Sequence, residues 1–293
     1  MMVTAIWVAL IILAIWFGFV LFRDFIKNKD NLENVSWVKT AVIGFIVNFF
    51  DVLGIGAFAP QTALLKLTKQ TEDRILPGTL NAANTIPVLI EAIIFIKIIE
   101  VGSVTLIAML LAAAIGAVIG AGIVSKLPEK VIQITMGVAL LITAYFMLAG
   151  QLHWMPGGGD AIALTGSKLI IAVVVNFILG ALMTAGIGLY APCMALVYML
   201  GMSPKVAFPI MMGSCAFLMP PASVKFVKEG AYNRKASVSM CIAGTVGVLI
   251  AAFLVKSLPM DILRWLVIAV VIYTSLVMLK SAVKNKKTEN LVA

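Results

Sequence analysis

Long apolar runs, separated by short polar segments, fill most of the chain. An apolar helix of about 20 residues spans the hydrocarbon core of a bilayer and keeps all of its backbone hydrogen bonds internal. The first run covers residues 1–22, and basic residues follow it rather than precede it. We interpret it as a retained N-terminal helix, not as a cleaved signal peptide. The pattern predicts an all-α polytopic membrane protein.

Two of the apolar segments are interrupted by glycines and a proline. Residues 54–60 read GIGAFAP, and residues 186–192 read GIGLYAP. The two motifs lie 132 residues apart, and further glycine, leucine and proline positions recur at nearly the same spacing. The chain is therefore predicted to contain two internal repeats of about 130 residues, at 37–149 and 168–280.

Each repeat is predicted to consist of one interrupted helix and three full spans, with the N-terminal helix as an extra element. The interrupted segments are 37–68 and 168–200. The full spans are predicted at 75–99, 104–125, 131–149, 205–227, 236–257 and 262–279.

The interrupted segments could cross the membrane once with an unwound middle, or enter and return as re-entrant hairpins. Single crossings make the repeats parallel and divide the 22 Lys and Arg residues 14 to 8 between the two sides. Hairpins make the repeats inverted and divide these residues 17 to 5. Because Lys and Arg concentrate in cytoplasmic loops, the charge distribution favours hairpins. It also places the basic tail, 281–293, in the cytoplasm.

The interruptions are candidate anion-binding sites. Gly54 and Gly56 permit a sharp change of backbone direction. Proline is tolerated at the first helical position, so Pro60 is predicted to begin a second half-helix, and Pro192 to do the same in the other repeat. Two converging half-helix N-termini could hold one small anion with their free N–H groups. The alternative is that these residues only kink a helix or allow close packing. Their occurrence in both repeats favours the binding site.

Polar side chains inside the apolar segments supply the remaining candidates. Asn48 and Asp51 share one helix face, and Asn81, Asn84 and Glu91 share a face of the next helix. A carboxyl group is costly in hydrocarbon, and burial favours its protonated form. Asp51 and Glu91 are therefore the candidate proton-coupling residues, and both lie in the first repeat. The alternative is that Asp51 caps a half-helix or pairs with an amide, and that Glu91 faces water near a helix end. The predicted substrate-binding residues are Asn48, Asp51, Gly54, Gly56, Pro60, Asn81, Asn84, Thr184, Gly186, Gly188, Pro192 and Ser214.

Composition changes this picture mainly by excluding other classes of protein. Hydrophobic residues make up 62% of the 293 residues and charged residues 12%, whereas soluble domains are about half apolar and a quarter charged. The net charge of +9 arises from short loops and does not indicate nucleic acid binding. Three cysteines without paired spacing and one histidine give no metal motif. The chain has no nucleophile–base signature, so we predict neither an enzyme nor a bound cofactor.

The stretch NFFDVLGIGAFAP, followed by LPGTLNAANTIPVLIEAIIFI, resembles the sulfite exporter TauE/SafE family, also called the 4-toluene sulfonate uptake permease family. The resemblance covers residues 40–279 and implies a secondary transporter of sulfite, sulfonates or related organosulfur anions. Many relatives carry an aspartate twelve residues before the proline. Here Asn48 occupies that position, and the acid is Asp51, nine residues before Pro60.

These observations together predict a secondary-active, proton-coupled exporter of small anions in the cytoplasmic membrane of a cell. The expected partners are the anion and the lipid bilayer, with a homo-oligomer left open. The alternative is an uncoupled anion channel that uses the same breaks.

Overall fold

The computed structural model describes residues 2–95, 101–154, 158–186, 188–254 and 260–292. Parts of the predicted segments, at 96–100 and 255–259, therefore lie outside the described residues. The described residues form eleven α-helices: α1 (Met2–Lys27), α2 (Trp37–Asp51), α3 (Phe58–Leu67), α4 (Leu76–Phe95), α5 (Ser103–Val124), α6 (Glu129–Gln151), α7 (Gly166–Met183), α8 (Tyr190–Met199), α9 (Pro204–Lys228), α10 (Arg234–Leu254) and α11 (Met260–Val292).

Seven helices of the described chain are long and apolar enough to cross a membrane, namely α1, α5, α6, α7, α9, α10 and α11. This confirms the prediction of an all-α polytopic protein. Helix α4 is 20 residues long and contains two asparagines and a glutamate; it is not among the seven. Helix α11 continues to Val292 and so includes most of the predicted basic tail, 281–293.

Both interrupted segments fold back on themselves. The Ser36 N–H donates to Gln70 Oε1 at 2.9 Å, so the chain beyond α3 returns to the start of α2. Lys168 Nζ donates to the Leu200 carbonyl at 3.1 Å, which joins the start of α7 to the end of α8. A single crossing would separate these ends by the combined length of two helices. The contacts therefore favour re-entrant hairpins.

Helices α4 and α9, which occupy equivalent places in the two sequence repeats, run in opposite directions. Thr85 pairs with Ser223 at 2.8 Å between the hydroxyl oxygens. Gly78, about two turns earlier on α4, lies against Phe226, which is later on α9. Equivalent helices of two parallel repeats would point the same way, so these contacts favour an inverted arrangement.

The first helix of each hairpin packs in parallel against a span of the other half of the chain. A Cβ atom on Gly44 of α2 would lie 2.5 Å from Met240 Cα of α10, and one on Gly244 would lie 2.6 Å from Asn48 Nδ2. Helix α7 meets α5 in the same way, where Asn176 donates to the Met109 carbonyl at 2.8 Å. Small residues let membrane helices approach closely, and here they interlock the two halves.

Helix α1 is attached at its C-terminal end to the loop between α9 and α10. Asp24 Oδ2 accepts hydrogen bonds from Arg234 Nε at 2.8 Å and from the Tyr232 hydroxyl at 2.7 Å. Burial and the hydrogen bond to Asp24 raise the pKa of Tyr232 above its ordinary value. The extra N-terminal helix is therefore fixed to the same end of the molecule at which α2 begins.

Candidate functional site

A cavity lies between the two helix breaks. Its water-accessible volume is about 40 Å³, several times the ~10–15 Å³ that one water needs by this measure. The walls come from both hairpins and from α4, α6 and α9. The lining residues are Asp51, Ile55, Gly56, Ala57, Phe58, Ala59, Val88, Thr143, Met147, Met183, Gly188, Leu189, Tyr190, Ala191 and Cys215.

The N-terminal turns of α3 and α8 both form part of this wall. The residues at the N-cap positions, Ala57 and Leu189, have no side chain that caps these turns. The first intrahelical bonds are donated by Gln61, to the Ala57 carbonyl, and by Cys193, to the Leu189 carbonyl. The N–H groups of the residues between them therefore have no intrahelical acceptor. Free N–H groups at a helix N-terminus favour an anion.

The prolines do not stand at the first helical position, as the sequence had suggested. Helix α3 begins at Phe58 and α8 at Tyr190, so Pro60 and Pro192 are each the third helical residue. The N–H groups of the first three helical residues need no intrahelical partner, so proline is tolerated at the third position as well as at the first. Two helical residues with N–H groups therefore precede each proline at the cavity wall.

Asp51 ends α2 at the first break and is 2% exposed. The backbone N–H groups of Gly56 and Ala57 interact with its carboxylate, which folds the break around the acid. Asp51 Oδ1 is buried and has no hydrogen-bond partner among the described residues. Asp51 thus lines the cavity with one of its two carboxylate oxygens left without a hydrogen bond.

Glu91 of α4 is fully buried beside the same region. Its Oε2 atom accepts a hydrogen bond from the Tyr190 hydroxyl at 3.1 Å, and its Oε1 atom has no partner within the described structure. Asp51 lies close enough to Glu91 to interact with it electrostatically. Two neighbouring buried carboxylates cannot both be charged without a large cost, so this pair is suited to holding a proton.

An amide network outside the cavity holds the first hairpin against α4. Asn48 Nδ2 donates to Asn84 Oδ1 at 3.0 Å, and Asn84 Nδ2 donates to Gln61 Oε1. Gln61 was missed by the sequence analysis, although a glutamine directly after Pro60 in an apolar run was a visible signal. The two asparagines thus connect α2, α3 and α4 rather than line the cavity.

The other predicted substrate-binding residues divide into two groups. Asp51, Gly56 and Gly188 line the cavity. Asn81 donates to the Pro77 carbonyl, and Thr184 donates to the Ala181 carbonyl. The predicted residues that are not in the cavity wall are Asn48, Gly54, Pro60, Asn81, Asn84, Thr184, Gly186, Pro192 and Ser214. Ser214 instead accepts a hydrogen bond from Asn176 at 2.9 Å, between α7 and α9.

Three polar or polarisable groups in the cavity wall were not predicted. Tyr190 was visible as the tyrosine of GIGLYAP at the place of Phe58 in GIGAFAP. The Thr143 hydroxyl of α6 is buried and has no partner among the described residues, so it is free to donate to a ligand. Cys215 of α9 contacts Met183, with 3.7 Å between the sulfur atoms. Nothing local in the sequence distinguished Thr143 or Cys215.

The described part of the chain has no group of three or more His, Cys, Asp or Glu residues that could hold a metal ion.

Comparison with protein families gave one informative result. The model of the sulfite exporter TauE/SafE family matches residues 1–147 and 169–292. Searches of curated proteins and of solved structures each returned no match.

Proposed function

The chain belongs to the sulfite exporter TauE/SafE family, and we propose that it carries a small anion, such as sulfite or an organosulfonate, through the cavity between its two breaks. The family match covers most of the chain and makes it a multi-pass membrane transport protein. The proposal adds the site, the class of anion and coupling to protons. It also adds inverted repeats, a location in the cytoplasmic membrane of the cell and a C-terminus in the cytoplasm.

The observation that carries the proposal is the meeting of two helix N-termini at one cavity, each with N–H groups in its first turn that have no intrahelical acceptor. Phe58 and Ala59 supply N–H groups from α3, and Tyr190 and Ala191 supply them from α8. The Thr143 hydroxyl adds a second kind of donor. A small oxyanion presents several acceptor oxygens, which this set of donors fits, and paired broken helices are how many transporters bind anions at mid-membrane.

Proton coupling is proposed because the same cavity holds a carboxyl group. An anion bound at the N–H groups lies beside Asp51, and two negative charges in an apolar site repel strongly. Anion binding is therefore easier when Asp51 or Glu91 carries a proton. The two binding events then depend on each other, which is the requirement for coupled transport.

Flux measurements in liposomes test the proposed function. We expect purified protein to move sulfite or a short organosulfonate several-fold faster than protein-free liposomes, and to accumulate it when a pH gradient is imposed. Anion flux would be followed with each compound separately, at equal membrane potential. Flux no faster than in protein-free liposomes, for the whole set of anions, would contradict the proposal.

A further inference from the structure

Tyr190 connects two parts of the cavity wall that lie in different halves of the chain. It is the first residue of α8, and its side chain is buried. Its hydroxyl donates to Glu91 Oε2 of α4 at 3.1 Å. Its backbone N–H belongs to the uncapped first turn of α8. One residue therefore contacts a buried carboxyl with its side chain and faces the proposed anion site with its backbone.

The other half of the described structure has no such contact. Phe58 stands 132 residues before Tyr190 and has no hydroxyl group. Ser223 stands 132 residues after Glu91 and pairs instead with Thr85, at 2.8 Å. The Tyr190–Glu91 hydrogen bond is therefore not required by the architecture that the two halves share. A hydrogen bond of this kind is found on one side of the cavity only.

We propose that Tyr190 is a positioning residue that makes the protonation of Glu91 depend on the place of the first turn of α8. This inference rests on the proposed function of the cavity. A charged carboxylate accepts the hydroxyl hydrogen bond about twice as strongly as a neutral carboxyl does. A charged Glu91 holds the first turn of α8 against α4, and protonation of Glu91 releases it. An anion bound at that turn and a proton bound at Glu91 then influence each other through one side chain.

Among the groups around Glu91, Tyr190 is the one that can link the protonation of Glu91 to the position of α8. The titratable groups that interact with Glu91 are Asp51 of α2, Tyr190 of α8 and Cys215 of α9. Further away, Cys193 of α8 interacts with Cys215, and Cys241 of α10 interacts with the backbone of Ile86 on α4. None of them carries a positive charge. Among the described residues, Tyr190 is the group that donates a hydrogen bond to Glu91. Asp51 acts on Glu91 by charge repulsion. Because Asp51 belongs to α2, its effect on Glu91 does not depend on the position of α8.

The test compares Tyr190→Phe with Tyr198→Phe in liposomes. Tyr190→Phe gives α8 the same type of first residue as α3 and removes one oxygen atom. We expect the pH of half-maximal anion flux to rise by about one unit, because the hydroxyl no longer stabilises the charged carboxylate. Tyr198→Phe is the matched control. It removes the same atom from the other end of α8, away from the cavity wall, and should leave the pH profile in place.

Infrared spectroscopy gives a second readout that does not require transport. The carboxyl band of Glu91, assigned by its loss in Glu91→Gln, should titrate at higher pH in Tyr190→Phe than in the wild-type protein. In the Glu91→Gln background, Tyr190→Phe should add no further change to the pH profile. If the wild-type protein moves no anion, the proposed function is wrong, and the infrared titration still decides whether Tyr190 controls Glu91.

Two results would overturn the inference. One is a Glu91 band that titrates at the same pH with and without the hydroxyl. The other is a Tyr190→Phe protein that is slower at every pH with an unchanged profile, since this would show only a structural role. Should Tyr190→Phe not fold, the wild-type protein remains a test. A Glu91 band that does not respond to bound sulfite would then overturn the inference.

Discussion

The first helix break follows a carboxylate, and the second follows a thioether. Asp51 ends α2, whereas Met183 ends α7 at the position 132 residues later. The helices that restart also differ, because α3 begins with Phe58 and α8 begins with Tyr190. Both breaks nevertheless present a helix N-terminus to the same cavity.

The comparison separates what the two breaks share from what each adds. Backbone N–H groups come from both, so the proposed anion binding rests on the architecture that the two halves share. The two buried carboxyl groups come from α2 and α4, and the hydroxyl that contacts Glu91 comes from α8. The proposed coupling to protons therefore rests on side chains that differ between the halves.

The largest expected effect concerns the sides of the membrane to which the hairpins open. Cysteines placed at Asp30, Glu72 and Ile162 would be labelled from each side in a chain without Cys193, Cys215 and Cys241. With hairpins, the positions at Asp30 and Glu72 react from one side, and the position at Ile162 reacts from the other. Single crossings give the opposite result, in which Glu72 reacts from the side opposite to Asp30. The readout is all-or-none.

The second effect concerns the residues that precede the breaks. Asp51→Asn should reduce accumulation driven by a pH gradient at least tenfold, because the amide cannot bind a proton at this site, and a tenfold change corresponds to about 1.4 kcal/mol. Met183→Leu is the matched control in the other break. It conserves volume and should change accumulation less than twofold. The measurement is the steady-state anion ratio across the liposome membrane.

The Asp51→Asn variant also distinguishes a carrier from a channel. A coupled carrier that loses its proton site loses concentrative transport. An uncoupled channel keeps the same flux down its gradient and never accumulates anion, even in the wild-type protein. Equal loss in Asp51→Asn and Met183→Leu would mean that the two breaks do not differ in the way proposed.

The helices, the positions of the breaks and the acidic residue at the first break could be predicted because their signals are local. Apolar runs, Gly54 with Pro60, and a single carboxylate in hydrocarbon are each visible within a few residues. The start of α3 was misplaced by two residues because proline is tolerated throughout the first helical turn. The sequence could not decide this from Pro60 alone.

The side-chain contacts could not be predicted, because they join residues that are far apart in the chain. Tyr190 and Glu91 are separated by 99 positions, and their contact depends on how the second hairpin packs against α4. Asn84 was predicted to bind substrate because it shares a helix face with Glu91. That face also meets Gln61 of the first hairpin, and the amide is satisfied there. Helical periodicity identifies a buried face but not which neighbour occupies it.

The smallest expected effect compares the backbone of the two breaks directly. Gly54 has φ +84° with open space around an added Cβ, and Gly186 has φ +97° with Met136 Cε 2.7 Å from that Cβ. An alanine at either position is strained by about 1–2 kcal/mol. Gly186→Ala should melt at a slightly lower temperature than Gly54→Ala, because Met136 must also move. Gly122→Ala, within α5 and 3.5 Å from Lys225 Cε, is the control and should melt no lower than the wild-type protein. A Gly54→Ala protein as stable as Gly122→Ala would show that the first break does not need its left-handed glycine, and the two breaks would then differ in backbone as well as in side chains.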